Sequence, residues 1–469
     1  MSRGASPGGG APRDSGPKGS IQVRSISLGR RPSGCAQALE CSPFRAKTKI
    51  LTPKGFHALV LGVILALLLV LSACGRDAPP PEEPVHEMAP TPPPPPPPPA
   101  STPEEALRPV SVADAPALFD DGDRATLRRA VESSLRWLRR QRERSFVVGP
   151  RTVSAAEMAA GLSTFLDLLD ANPTPEDLAR QIPEYFELHE SVGDWTGEML
   201  ITGYYEPSIA GSRRRTADYD IPIYGRPTDQ IRVDLGQFSE EWEGRTIKGR
   251  LEGKKLVPYP SRREMREGNK PKSKVIAWAR DPVELFFLEV QGSGTLNLPG
   301  GDTMRIGWAG GNGRKYRSIG RLLIDEGAIP KERMSMQALR AWLADNPDEI
   351  QRVLEYNDSV VFFRPLDGPP LGSLGLPVIP ERSVAMDHKL FPSGALAFLE
   401  TEIPAMGEDG ATVSAGRLGR FVLNHDTGGA IRGADRADLF WGRGDLAAER
   451  AGLMKQPGRL VFLLPKASE

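Results

Sequence analysis

Eight consecutive prolines at Pro92–Pro99 separate two parts of the chain that cannot share one fold. Such a run has no backbone N–H donors, cannot bury a core and favours stiff polyproline II at about 3.1 Å per residue. With Pro79–Pro81, it predicts a Pro-rich linker over residues 74–104, either a spacer that holds a domain away from a membrane or an unstructured tail. The folded part of this 469-residue chain is therefore expected to begin near residue 105.

The segment before the linker carries the pattern of a secretion signal. Residues 58–73 are uncharged and nearly all apolar, but the run is shorter than the ~20 residues of a membrane-spanning helix. It ends in Leu71-Ser72-Ala73-Cys74, which resembles a bacterial lipoprotein signal. The resemblance implies that residues 1–73 are leader and signal and that Cys74 is lipidated. Because Gly75 rather than Asp follows the cysteine, it also implies an outer-membrane lipoprotein facing the periplasm. An uncleaved anchor with an incidental cysteine is the alternative.

Composition excludes several chemistries for the body of the chain. All three cysteines precede residue 75, which excludes thiol catalysis, zinc–thiolate sites and disulfides beyond it. The five histidines show no HExxH-like spacing, and neither a metal nor an organic cofactor is expected. With 60 basic and 60 acidic residues, the formal net charge is zero, which argues against nucleic acid as a partner.

Helix signals concentrate between residues 120 and 190. Apolar residues recur at helical spacing after Asp123. Ser154 and Glu157 form a capping-box signature, and Thr174-Pro175 is a typical helix start. This part of the chain is therefore predicted to be helical.

Strand signals dominate the middle of the chain. From residue 198 to about 310, Gly and Pro recur between short apolar runs, which predicts an all-β unit. The runs include Ile221–Tyr224, Val275–Trp278 and Leu285–Val290. Helices are predicted again between residues 316 and 356, and strands from Ser359 onward. We expect a mainly β fold with flanking helices, in which a β insert interrupts the first domain.

A short segment near the C-terminus carries the chemistry. A predicted strand ends at Asp426 and is followed by Gly428-Gly429, where positive φ or a close approach of the backbone to a ligand is expected. Asp438 follows Arg436 and precedes Leu439-Phe440, whose apolar side chains would raise the pKa of the carboxyl group. The second carboxylate, of Asp426, could hydrogen-bond to Asp438 or repel its charge. An aspartic acid that holds a proton near neutral pH can serve as a general acid.

Further motifs occur in order along residues 195–460. Together with the segment above, they are Thr202–Pro207, Val290–Gly294, Ala309–Gly313, Tyr316–Gly320, Met334–Ala338, Val361–Phe363, Ser383–Asp387, Asp426–Gly433 and Arg436–Gly442. They resemble the membrane-bound lytic transglycosylases of the A type (MltA), which carry a three-aspartate (3D) domain. The resemblance implies a double-psi β-barrel domain plus a second, smaller β-barrel domain inserted in sequence, with a groove for glycan between them.

The resemblance also implies how the chain divides into domains. A discontinuous catalytic domain is expected at residues 105–203 and 330–469, made of the helical segment and the double-psi barrel. Its 3D region is expected at about 375–450. The inserted β domain is expected at residues 204–329.

The function implied by the resemblance is cleavage of the β-1,4 bond between N-acetylmuramic acid and N-acetylglucosamine in peptidoglycan, leaving 1,6-anhydro ends. One aspartate protonates the glycosidic oxygen and then removes the proton of the C6 hydroxyl, which attacks C1. The family's catalytic aspartate matches Asp438, whereas Asp426 and Asp387 match two supporting aspartates. One carboxylate suffices because the nucleophile is the substrate's own hydroxyl and gains effective molarity.

Other residues in these motifs are candidate glycan contacts. Tyr204 and Tyr205 offer aromatic faces to sugar rings. Neutral hydrogen-bonding side chains are offered by Gln291, Ser293, Asn312 and, with less support, Asn297. A core or turn role is the alternative for each. The expected partners are peptidoglycan glycan strands, a lipid anchor in the outer membrane and, as candidates, other cell-wall enzymes.

Two other functions remain open. One is a hydrolase of peptidoglycan or a related β-glycan that uses water, against which stands the absence of a clear base partner. The other is a non-catalytic wall-binding lipoprotein, against which stands the presence of all three aspartates.

Overall fold

The structure, a computed structural model, describes residues 98–408 and 411–467. The expected leader, the lipidation site Cys74 and the linker up to residue 97 lie outside the described residues. Within these two ranges, no helix combines the length and the apolar character that crossing a membrane requires.

The α-helices of the described residues are numbered in chain order. They are α1 (Pro103–Ala106), α2 (Arg124–Arg140), α3 (Ala155–Asp170), α4 (Pro175–Tyr185), α5 (Arg262–Arg266), α6 (Pro282–Gln291), α7 (Ile319–Asp325), α8 (Met336–Asp345), α9 (Ile350–Tyr356) and α10 (Asp445–Leu453). Short 3₁₀ turns lie at Leu235–Gln237, Glu240–Trp242, Lys331–Arg333 and Pro347–Glu349.

The strands are numbered in the same way. They are β1 (Leu107–Pro109), β2 (Ser145–Val148), β3 (Arg151–Ser154), β4 (Phe186–Ser191), β5 (Met199–Glu206), β6 (Ser208–Ser212), β7 (Ile221–Tyr224), β8 (Ile231–Asp234), β9 (Thr246–Glu252), β10 (Lys255–Pro258), β11 (Val275–Ala279), β12 (Ser293–Asn297), β13 (Thr303–Gly311), β14 (Val361–Leu366), β15 (Ser383–Ala385), β16 (Leu396–Met406), β17 (Thr412–Asp426), β18 (Arg436–Arg443) and β19 (Lys455–Pro465).

The predicted helix starts are confirmed by side-chain caps. Asp123 accepts a hydrogen bond from the backbone N–H of Thr126 at 2.7 Å and begins α2. Ser154 and Glu157 form the complete capping box of α3. Thr174 caps α4, whose first residue is Pro175. The helical region also contains the hairpin β2–β3 and strand β4, which packs against the barrel.

One apolar run was expected to be a strand and is a helix. Residues 285–290 lie in α6 because Asp281 accepts hydrogen bonds from the backbone N–H groups of Val283 and Glu284, and Pro282 occupies the first turn. Phe286 and Phe287 bury their rings edge to face at 6.0 Å. A short buried helix and a buried strand have the same apolar sequence, so the run itself could not distinguish them.

A closed barrel forms the main domain. Its six strands follow the hydrogen-bonded order β5, β18, β15, β17, β16 and β19, and β19 pairs again with β5. β15 runs parallel to β17, and β18 runs parallel to β5, while the other barrel pairs are antiparallel. β4 and β1 extend this sheet beyond β19. The expectation of a mainly β fold with flanking helices and a principal barrel is confirmed.

The second β unit lies between β5 and the main barrel's later strands in sequence. Six strands are paired in the order β14, β13, β12, β6, β11 and β7. The sheet curls so that Tyr224 of β7 packs against the cluster containing Phe362 of β14. A separate three-stranded antiparallel sheet, which we call the arm, has the order β10, β9 and β8.

Strand pairing bears on the domain boundaries. β5 pairs with β18 up to Glu206, and β14 pairs with β13 up to Leu366. We therefore propose that the inserted domain runs from about residue 208 to 366, rather than over the 204–329 expected from sequence. The chain returns to the main domain later than expected because the helices between residues 319 and 356 precede the last strand of the inserted sheet.

A buried ion pair attaches the start of α2 to the barrel. Arg382, only 1% exposed, donates to both carboxylate oxygens of Asp120 at 2.5 and 2.8 Å. Its other donors reach the carbonyls of Phe421 and Asp123, both at 3.0 Å, and the hydroxyl of Thr126 at 3.3 Å. Since Arg382 directly precedes β15, this network fixes β15 in its place between β17 and β18.

Removing one partner of this pair should strongly destabilise the fold. Asp120→Ala leaves the Arg382 charge buried without compensation, and we expect the free energy of unfolding to fall by about 3–5 kcal/mol. Urea denaturation followed by far-UV circular dichroism measures this. Arg417→Ala, which removes a 78% exposed arginine from its pair with Glu400, is the control and should cost about 1 kcal/mol or less. Similar losses for both variants would contradict the anchoring role of Arg382.

Candidate functional site

Two of the three predicted aspartates flank the same short strand. Ala385 of β15 pairs with Asp426 at the end of β17 on one side and with Asp438 of β18 on the other. In the sequence, a loop separates the two aspartates. In the sheet, their strands lie on either side of β15, which comes earlier in the sequence. The barrel topology therefore brings both carboxyl groups to one end of the same sheet.

Asp438 has an environment suited to holding a proton. Its side chain is 18% exposed, and Oδ1 is buried without a hydrogen-bond partner in the described part of the chain. Arg436 Nη2 lies 3.5 Å from Oδ1, an ion-pair distance without hydrogen-bond geometry. Burial, helped by the charge of Asp426 and opposed by Arg436, raises the pKa of Asp438 to about 6.

Asp426 is held by three donors. Oδ1 accepts hydrogen bonds from the backbone N–H groups of Ser373 and Thr427, both at 2.8 Å, and Oδ2 accepts one from the Tyr204 hydroxyl at 3.3 Å. Burial raises the pKa of Asp426, and these donors limit the rise because they favour its carboxylate form. Both oxygens of Asp426 are thus engaged by the protein.

Tyr204 lies beside both carboxyl groups. Its ring packs against Phe440 with centroids 5.0 Å apart, and its hydroxyl donates to Asp426. Burial, followed by the negative charges of Asp426 and Asp438, raises the pKa of Tyr204 well above its ordinary value, so the hydroxyl remains a donor. The sequence analysis placed Tyr204 at the site, and the structure adds the hydrogen bond to Asp426.

Asp387 holds the adjacent loops together. It is buried, and it accepts hydrogen bonds from the backbone N–H groups of Lys389 at 3.1 Å and Gly433 at 3.3 Å. It therefore connects the turn after β15 to the loop between β17 and β18, which leads into the strand that contains Asp438. Its expected supporting role remains a prediction.

The glycine turn after Asp426 differs from the expectation. The positive φ in this loop, 89°, belongs to Gly433 and not to Gly428 or Gly429. A Cβ at Gly428 would come 2.9 Å from the Ile431 side chain, so the close approach there involves the protein itself.

Two predicted glycan contacts, Tyr205 and Asn312, have side chains that lie in the protein interior, and their contact with glycan remains a prediction. The Tyr205 ring is buried in the barrel core. Asn312 is fully buried and makes four hydrogen bonds to backbone groups. Its amide nitrogen donates to the carbonyls of Pro260 and Asp358, and its oxygen accepts from the N–H groups of Arg314 and Val360.

The other candidate contacts differ in the burial and hydrogen bonding of their side chains. Gln291 is half-buried, and its Oε1 accepts the backbone N–H of Tyr205 at 2.9 Å, which ties the end of α6 to β5. Asn297 Oδ1 accepts a hydrogen bond from Ser208 at 3.1 Å. Ser293 is half-buried at the start of β12. Substrate contact by Gln291 and Ser293 remains a prediction.

Sequence reasoning missed how Arg436 is placed. Its guanidinium donates to the Thr202 hydroxyl at 3.3 Å and to the Ala430 carbonyl at 3.4 Å, while its Nε is buried without a partner among the described residues. Residues two apart on a strand share a face, so Arg436 could have been linked to Asp438 from their spacing. Tyr316 of the inserted domain also lies within the field of Arg436, whose positive charge opposes the rise of the Tyr316 pKa caused by burial.

His425 has a structural position. It is fully buried, with Nδ1 2.8 Å from the Ser383 hydroxyl and Nε2 2.9 Å from the Ser134 hydroxyl. Burial lowers the pKa of His425 to about 3, so the ring is neutral and joins α2 to the barrel. Across residues 98–408 and 411–467, no three His, Cys, Asp or Glu side chains group closely enough to hold a metal ion.

The geometry defines a class of site. A barrel end that carries an aspartic acid with a raised pKa beside a hydrogen-bonded carboxyl group has the properties that acid–base chemistry, such as protonation of a leaving group, requires. Family models agree with this two-part architecture. The MltA-specific insert domain matches residues 200–364, and the 3D domain matches residues 382–464. The chain belongs to the membrane-bound lytic murein transglycosylase A family.

Solved structures support the same assignment. A membrane-bound lytic murein transglycosylase from Agrobacterium tumefaciens is 30% identical with a TM-score of 0.63, over 77% of this chain and 98% of that one. MltA from Neisseria gonorrhoeae is 31% identical with a TM-score of 0.58, over 79% and 97% of the two chains. MltA from Escherichia coli with bound chitohexaose is 25% identical with a TM-score of 0.56, over 78% and 94%.

Curated relatives match a shorter region. The membrane-bound lytic murein transglycosylase A of Escherichia coli is 33% identical over 270 residues, and that of Vibrio cholerae is 32% identical over 271 residues. Each match covers 57% of this chain and 66% of the relative, slightly less than two thirds of its length.

The raised pKa of Asp438 should appear as a pH-dependent cost to stability. The folded pKa of about 6 exceeds the ordinary value, so stability falls as pH rises from about 4 to 6 and stays lower above. Asp438→Asn removes this cost. We expect the variant to be more stable than the wild type by about 2–3 kcal/mol at pH 8, a gain that vanishes near pH 4.

Urea denaturation at the two pH values measures this gain. Asp435→Asn, at an exposed aspartate in the preceding loop, is the control and should show no pH-dependent gain. If Asp438→Asn also gains nothing at pH 8, the carboxyl group is not held in the environment described.

Proposed function

We propose that this chain is a peptidoglycan lytic transglycosylase with Asp438 as its single acid and base. It cleaves the β-1,4 bond between N-acetylmuramic acid and N-acetylglucosamine and leaves 1,6-anhydro ends. Membership of the family supports the reaction class. The observation that carries the role of Asp438 is a pKa of about 6 on a carboxyl group whose Oδ1 has no partner among the described residues.

In the first step, protonated Asp438 donates its proton to the glycosidic oxygen. The bond between C1 and that oxygen breaks, and its electron pair leaves with the oxygen. Asp438 becomes a carboxylate, which Arg436 at 3.5 Å stabilises without forming the full hydrogen bond that would keep it ionised beforehand.

In the second step, the Asp438 carboxylate removes the proton of the C6 hydroxyl on the same sugar. The C6 oxygen then bonds to C1 and closes the anhydro ring, and Asp438 is left protonated for the next cycle. Because the nucleophile is already attached to the reacting sugar, attack gains a large effective molarity over water.

The neighbouring groups support this cycle without exchanging protons with the substrate. Burial, aided by the charge of Asp426, raises the pKa of Asp438, and Tyr204 orients the Asp426 carboxylate. Because both Asp426 oxygens are engaged, Asp426 is poorly placed to activate a water molecule, which disfavours the hydrolase alternative. Asp387 positions the loop through Gly433.

The proposed substrate is the glycan strand of peptidoglycan, with Gln291 and Ser293 as candidate contacts. A related structure, MltA from Escherichia coli, contains chitohexaose, a β-1,4-linked glycan. We further propose that Cys74 is lipidated and that the chain is an outer-membrane lipoprotein facing the periplasm, since the relatives are named membrane-bound. Other cell-wall enzymes are candidate partners.

Digestion of purified sacculi tests the reaction. The wild-type chain should release fragments with anhydro ends, identified by mass spectrometry, whereas Asp438→Asn should lose activity by a factor of about 10²–10⁴. Asp435→Asn is the matched control and should retain activity. Fragments with only reducing ends would indicate hydrolysis, and full activity of Asp438→Asn would refute the assigned role.

The pH profile tests how the acid is tuned. We expect kcat/KM to fall as pH rises through about 6, because Asp438 then loses the proton it must donate. Arg436→Gln removes the positive charge that lowers the Asp438 pKa, so the fall in kcat/KM, the alkaline limb of the profile, should move to higher pH. Arg432→Gln changes the same charge on an exposed residue of the preceding loop and should leave the limb in place. An unmoved limb in Arg436→Gln would count against the tuning role.

A further inference from the structure

A cluster of basic side chains adjoins an exposed tryptophan on the inserted domain. Trp308 of β13 is 57% exposed. Lys248 of β9 lies with its Nζ 5.9 Å from the Trp308 ring centroid. We call Trp308, Lys248, Arg232 and Arg226 the Trp308 platform.

Lys248 is held firmly in this surface. Its Nζ donates to the Gly311 carbonyl at 3.2 Å, and Gln230 donates to the same carbonyl at 3.1 Å. Gly313 has a φ of 83°, and a Cβ there would come 2.6 Å from the Lys248 Cβ. The absence of a side chain at Gly313 therefore makes the space in which Lys248 packs beside Trp308.

The platform brings three positively charged side chains together, and none of them forms an ion pair within the described part of the chain. Arg232 is directly opposite Lys248 in the β8–β9 pair, an arrangement of like charges that destabilises a sheet. Burial and the charges of Arg232 and Arg226 lower the pKa of Lys248. Arg250, two residues further along β9, differs because it pairs with Glu252 at 2.7 Å. A ligand that carries negative charge would relieve this repulsion.

The platform is within reach of the acid–base site along one segment of chain. Gly311 is five residues from Tyr316, which bounds their separation at about 17 Å. Tyr316 in turn lies within the field of Arg436, whose guanidinium is 3.5 Å from Asp438. A glycan strand of several sugars bound at Asp438 is long enough to extend to Trp308.

We propose that the Trp308 platform is a binding subsite for a sugar that bears an acidic peptide stem, with Trp308 contacting the ring and Lys248, Arg232 and Arg226 contacting the stem carboxylates. This inference rests on the proposed function, because peptidoglycan is the β-1,4 glycan whose sugars carry such stems. A neutral glycan would contact Trp308 alone. The subsite thus favours stem-bearing strands over bare ones through charge.

Kinetics on two matched substrates test the subsite. The full chain is assayed on solubilised glycan strands that keep their peptide stems and on the same strands after an amidase has removed them. We expect the double variant Lys248→Gln and Arg232→Gln to raise KM for stem-bearing strands about tenfold, as two lost exposed ion pairs would. KM for bare strands and kcat on both should be unchanged.

Three further variants complete the test. Trp308→Ala should raise KM for both substrates. Arg232→Gln alone, at an exposed side chain, should raise KM for stem-bearing strands without disturbing the packing of Lys248. Lys254→Gln with Lys255→Gln removes the same charge from exposed positions of the same arm and should leave KM unchanged. High salt should abolish the advantage of stem-bearing strands in the wild type.

The outcomes separate this inference from the proposed function. If the charge variants at Lys248 and Arg232 raise KM no more than the Lys254–Lys255 control does, or raise it equally on stem-bearing and bare strands, the subsite is refuted while cleavage stands. If the wild-type chain cleaves neither substrate, the proposed function itself fails.

Discussion

The buried pairing of Arg382 with Asp120 is the interaction on which the position of the acid–base site depends. Arg382 directly precedes β15, and all of its side-chain hydrogen bonds go to the segment before α2, to the start of α2 or to β17. β15 lies between β17 and β18, which carry Asp426 and Asp438. A charge buried this deeply is stable only with its partner in place, so the contact between the helical segment and the barrel is needed to hold β15 between the strands that carry the two carboxyl groups.

The site works through opposing influences on one proton. Burial and Asp426 raise the pKa of Asp438, and Arg436 lowers it, which leaves the group able both to give a proton and to take one back. Asp426 contributes its charge, since Tyr204 and two backbone N–H groups occupy its oxygens. The three aspartates therefore differ in environment as well as in the roles that the sequence motifs predict for them.

Local sequence rules succeeded where one element carries its own signal. The caps at Asp123, Ser154 and Thr174 and the strand ending at Asp426 all occur as predicted, because their causes lie within a few residues. The same rules failed for residues 285–290, since an apolar run alone does not distinguish helix from strand. The burial of Tyr205 and Asn312 was not predicted, because a motif does not reveal whether a side chain lies in the protein interior.

By itself the sequence determined the family, the mainly β architecture with an insert and the identity of the acidic residues, since ordered motifs and short-range patterns encode them. Only the tertiary structure decided which oxygens are free, that Arg436 stands beside Asp438, and that like charges meet at Lys248 and Arg232 around Trp308. The physical reason is that pKa, burial and hydrogen-bond satisfaction depend on groups from distant segments, which are brought together only when β15 enters between β17 and β18 and the barrel closes through β5 and β19.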